Sequence, residues 1–191
     1  VANVGAIFGR LGAALLCAVS AVPGQVAAFD LTGTVWDRPS TQGCRPSPEL
    51  LYAIALVESK KYAGRMVTPN PYALNIDGKG FHPGTREEAE KLLREALPRT
   101  RAIAVGAMQI SLRWNGGEVS DPADLLDLRT NVRTATKVFC GFQKQGGDLA
   151  LLIGRYHTPN PELVSVARAY GEDVLRVWRR LVLLKQEGEQ G

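Results

Sequence analysis

The sequence predicts a mainly helical α+β domain carrying one small β-hairpin, and three observations predict it. Ser47-Pro48-Glu49 supplies an N-cap, a proline in the first turn and an early acid, ahead of an apolar run over 50–57. Thr85-Arg86-Glu87-Glu88 marks a second helix start of the capping-box kind. Between the two, Asp77-Gly78 sits inside 72–81, where a tight hairpin turn requires left-handed backbone. With 191 residues, 45% hydrophobic and 22% charged, the chain has material for one real core, so one main domain is expected.

In chain order, residues 1–28 hold a single charge, Arg10, and an apolar run over 11–22 that is short for a bilayer span but suits a secretory signal. Val26-Ala27-Ala28 provides the small residues of a cleavage site. A signal peptide over 1–28 and a periplasmic protein are therefore expected, with an uncleaved inner-membrane anchor as the alternative. Residues 29–43 read as an irregular lead-in, 44–184 as the domain and 185–191 as a flexible tail. Cleavage removes Cys17 and leaves Cys44 and Cys140, a natural disulfide pair in an exported protein, or else two buried thiols. After the first helix, Thr68-Pro69-Asn70-Pro71 breaks the helical pattern before the hairpin, and the capping-box helix stops at Pro98. Three further helices are expected. The first spans about 130–145, with Val132, Ala135, Val138, Phe139 and Phe142 inward and Gly146-Gly147 as its stop. The second spans 148–156, and the third starts at Asn160-Pro161 and reaches about 184.

Glu58 stands out chemically, because at about 100° per residue it projects between Ile54 and Leu51 on the apolar face of its helix. Low dielectric disfavours the charged form of a carboxyl, the condition that a general acid exploits. An exposed ion pair with Lys61 or Arg65 is the plainer explanation of the same residue. Gly106-Ala107-Met108-Gln109-Ile110 places one amide among apolar neighbours, with Gly106 permitting close backbone approach and Gln109 offering both a donor and an acceptor. Gly154-Arg155-Tyr156-His157 ends a helix at a turn. The net charge of +4 favours an acidic polymer or envelope surface. The charges are scattered, with no basic helix interleaved with aromatics, so nucleic acid is not an expected partner. Two histidines and no Cys-x-x-Cys give no support to a metal site, and no cofactor is implied.

Glu58-Ser59 closing an apolar helix, then Gly106-Ala107-Met108-Gln109-Ile110, Asn131-Val132 opening a helix, and Tyr156, in this order, resemble the soluble-lytic-transglycosylase domain of the lysozyme-like superfamily. The segment Asn70-Pro71-Tyr72-Ala73-Leu74-Asn75-Ile76-Asp77-Gly78 is similar to members that accompany conjugation and type IV secretion machinery. The resemblance covers about 44–180. It implies a lysozyme-like fold and cleavage of the β-1,4 bond between N-acetylmuramic acid and N-acetylglucosamine in peptidoglycan. Glu58 matches the family's acid, Ser59, Met108, Gln109 and Tyr156 match groups that position the saccharide or hold the glutamate, and Asn75 of the 70–78 segment is a further candidate for substrate binding. Where many members have Ala-Tyr-Asn, this chain has Arg155-Tyr156-His157, so His157 becomes a candidate cleft group, its alternative being a structural turn histidine. The expected partners are peptidoglycan glycan strands and components of a conjugation or secretion apparatus, the protein itself acting as a monomer.

Two other functions fit the same residues. A hydrolytic muramidase needs a second carboxylate, for which Asp77 is the candidate, although an Asp-Gly turn explains that residue more simply. A module that binds peptidoglycan without cutting it needs no acid on an apolar face. In the last helix, Arg168, Arg176, Arg179, Arg180 and Lys185 form either a solvated face or a docking surface.

Overall fold

The computed structural model describes residues 29–189, apart from 38, 40, 42, 65 and 144–146. It is mainly helical with small antiparallel sheets, the expected fold class. The expected signal segment over 1–28 lies outside the described residues, as does Gly146 of the expected helix stop. Among the described residues, no helix is long and apolar enough to cross a membrane.

Helix α1 (Pro48–Ser59) starts as its sequence dictates, the Ser47 side chain accepting from the Leu50 amide. Leu51, Ala53, Ile54 and Ala55 are fully buried and make it the central helix. The chain then forms a hairpin that the sequence did not announce, β1 (Lys60–Ala63) against β2 (Met66–Pro69). It pairs only with itself and leaves Tyr62 and Met66 exposed, so no alternating apolar pattern marks it. The expected hairpin follows as β3 (Leu74–Ile76) and β4 (Lys79–Phe81), with Asp77 and Gly78 both at positive φ, 51° and 83°. Strands β5 (Ile103–Val105) and β6 (Ile110–Ser111) extend it to a four-stranded sheet of order β4-β3-β5-β6. The β portion is therefore larger than one hairpin.

Helix α2 (Arg86–Ala96) has its Thr85 cap, while the Glu88 carboxylate reaches the Gly84 amide. The short α3 (Leu112–Asn115) leaves β6 directly, and 3₁₀ turns at Gly116–Glu118 and Pro122–Leu126 lead to α4 (Leu128–Gln143). Helices α5 (Leu149–His157) and α6 (Val164–Glu189) form an antiparallel pair, and α6 also packs on α1. Helix α6 begins later than expected, because Asn160 accepts from the Glu162 amide in a turn of its own. It also ends later: the expected tail is helical to Glu189, with Lys185 bound to the buried Glu49 at the start of α1, 3.0 Å away.

Cys44, just ahead of α1, and Cys140 of α4 form a disulfide across 96 residues, with 5.9 Å between their Cα atoms. Leu31 and Trp36 of the lead-in are buried in the same core, and the Trp36 ring meets Tyr52 of α1 edge-on at 5.2 Å.

Candidate active site

Glu58 lies in the last turn of α1 with its side chain only 11% exposed, which rules out the exposed ion pair as its explanation. Its Oε1 accepts the hydroxyl of Tyr170 from α6 at 2.5 Å, and Nδ1 of His157 from α5 lies 3.3 Å from the same oxygen. The His157 and Tyr170 rings stack, 4.4 Å apart with 5° between their planes. Among the described residues Oε2 has no protein donor, and it stays open to the cleft.

Two glycines set this geometry. A Cβ on Gly154 would lie 1.9 Å from the Ala167 carbonyl oxygen, and one on Gly171 would lie 1.8 Å from that of Ala150. Helices α5 and α6 therefore cross with their backbones in contact. Tyr156 and His157 follow one crossing point and Tyr170 precedes the other, so all three converge beside Glu58.

The segment 106–109 forms the neighbouring wall. Asn131, fully buried at the start of α4, donates to the carbonyls of Val105 and Leu125 and accepts from the Met108 amide at 2.8 Å. Gly106 is required here, because its φ is +81° and a Cβ would lie 2.4 Å from the Asn131 amide nitrogen. Tyr156 donates to the Met108 carbonyl at 2.6 Å, and Ser59 donates to that of Ala107 at 2.7 Å.

These contacts assign a part to three of the expected site residues. Ser59 is buried and acts as a brace, tying the end of α1 to the 106–109 segment and accepting from the Asn70 amide. The Met108 side chain is fully buried, so only its backbone serves the site. Gln109 lines the cleft, but its amide nitrogen is engaged by the carbonyls of Ala73 and Gly106, leaving it as an acceptor and not as a donor.

The cleft has a volume of about 790 Å³. Asn75, Gln109, Tyr156 and His157 line it together with Glu58. Trp114 of α3 and Val138 and Phe142 of α4 line it too, so those two α4 residues face the cleft and not the core. Among the described lining residues there is no lysine or arginine, and Glu58 is the only acid. Asp77 lies elsewhere, its carboxylate accepting from the Thr100 hydroxyl at 2.6 Å. Among the described residues no cluster of His, Cys, Asp or Glu is arranged to hold a metal.

The hydrogen bond to Glu58 raises the pKa of His157 above its ordinary value, outweighing the opposing effect of burial. Burial, reinforced by the charge of Glu58, holds the Tyr156 and Tyr170 phenols well above the ordinary tyrosine range. Tyr170 thus remains a proton donor at any physiological pH.

Sequence reasoning missed Tyr170 and Trp114. The signal for Tyr170 was the small-residue spacing of Ala150 and Gly154 on one helix and Ala167 and Gly171 on the next, which marks a close crossing. Trp114 had no comparable pattern. No family model, curated protein or solved structure matches this chain.

Proposed function

We propose that the protein is a peptidoglycan lytic transglycosylase. One observation carries this reading: a single, nearly buried glutamate lies in a cleft whose other lining groups are amides, hydroxyls, apolar rings and one imidazole. Hydroxyl and acetamido groups along a glycan backbone suit such a lining, whereas a phosphate-rich ligand would call for cations. Hydrolysis through paired carboxylates would require a second acid about 5–9.5 Å away, and Asp77 does not line this cleft.

In the proposed reaction, protonated Glu58 gives its proton from Oε2 to the glycosidic oxygen as the bond from C1 of the muramic residue breaks. The resulting carboxylate takes the proton of the C6 hydroxyl, whose oxygen closes on C1 to form the 1,6-anhydro ring. Glu58 ends protonated again, and no water is consumed. Tyr170, donating to Oε1, stabilises the carboxylate between the two transfers and fixes which oxygen faces the sugar.

The disulfide supports an oxidising compartment such as the periplasm. Opening of the wall for a conjugation or secretion apparatus is the biological role suggested by the resemblance of 70–78, and unchanged transfer frequency in a deletion strain would remove it. The activity is tested by comparing wild-type protein with Glu58→Gln on purified peptidoglycan. The expected result is solubilisation by the wild type, falling by about 10²–10⁴-fold in the variant. Equal behaviour of the two proteins would leave a binding module.

A further inference from the structure

Trp114 is 69% exposed although it lines the same cleft as Glu58. An aromatic left uncovered in a concave site marks a ligand surface. Its mounting is firm. Helix α3 leaves β6 without a loop, Leu112 is buried at its start, and Glu118 just beyond it pairs with Lys137 of α4. That ion pair clips the segment to α4 beside Val138, which lines the cleft with Phe142. The apolar wall thus comes from α3 and α4, whereas Glu58 is gripped from α5 and α6.

The lining Asn115 and Gln109 side chains are uncharged, and no lysine or arginine lines the cleft among the described residues. The lining therefore suits a ligand segment with one face of C–H groups and a rim of hydroxyls and amides, which describes a pyranose ring. We propose that Trp114 is a stacking platform for a sugar of the glycan strand lying beyond the two joined by the bond that Glu58 cuts, a proposal that rests on the glycan reading above.

Glu58→Gln protein, which keeps the cleft without cutting, is titrated by calorimetry with peptide-free glycan strands released from peptidoglycan by an amidase. Adding Trp114→Ala to it is expected to weaken binding about tenfold, the scale of one aromatic contact, and Trp114→Phe to restore most of the loss. Equal affinity with and without Trp114→Ala overturns the platform and leaves the glycan reading intact. Should Trp114→Phe bind as weakly as Trp114→Ala, a ring face is not what the strand uses, and the platform again falls. No strand binding by Glu58→Gln, together with no anhydro ends released by the wild type, overturns both.

Discussion

Glu58 was legible because a helix has a fixed angular period, so an acid on an apolar face shows in the sequence alone. Its partners were not, because Tyr170 is 112 residues away and reaches it only through the packing of α1, α5 and α6. Replacing Tyr170 by Phe removes a hydrogen bond to a charged group, so kcat on peptidoglycan is expected to fall about tenfold to a hundredfold, with KM little changed. An unchanged kcat would show that the bond is idle. The folded pKa of His157 lies above the ordinary histidine value of 6.5, chiefly through the hydrogen bond to Glu58. The contribution of this pair is therefore fully present below 6.5 and is lost as pH rises through the elevated folded value. By NMR titration, His157 in Glu58→Gln is expected to protonate at lower pH than in the wild type. An identical titration in both proteins would contradict the pairing.

Among the elements, the crossing of α5 and α6 determines the site. Alanine at Gly154 or Gly171 would drive a methyl into a facing backbone carbonyl, where no flexible side chain can yield. Each substitution is expected to destabilise by roughly 1–3 kcal/mol or more, seen as a lowered thermal midpoint, and to reduce activity by displacing Tyr156 and Tyr170. An unaltered midpoint would mean that the helices are not in backbone contact. Helices were legible wherever capping residues marked them, as at Ser47, Thr85 and Asp148. The hairpin of β1 and β2 was not, since its side chains carry no period of two and cover no core. Strands β5 and β6, of three and two residues, are too short to carry a pattern and exist because β3 and the clamped 106–109 segment hold them.

For the molecule as a whole, one disulfide joins the entrance of the Glu58 helix to α4, the helix that supplies Asn131 and part of the cleft wall. Closing a loop of 96 residues restricts the unfolded chain, and the double substitution Cys44→Ala and Cys140→Ala is expected to lose about 4–5 kcal/mol in urea unfolding on the chain-entropy treatment. A loss near zero would show that the bridge is not formed in solution. The pairing was legible from cysteine count and the expected export, and the fold class from helix starts and one turn. The lead-in was not seen to belong to the core, because Leu31 and Trp36 are isolated apolar residues in a polar stretch and only the packing reveals where they go. The reaction course itself is tested most directly by digesting peptidoglycan in water enriched in ¹⁸O and weighing the newly formed muramic ends by mass spectrometry. The expected ends are 1,6-anhydro sugars without ¹⁸O, absent in Glu58→Gln. Reducing ends carrying one ¹⁸O atom would show that water, and not the C6 hydroxyl, attacks C1, contradicting the single-carboxylate mechanism.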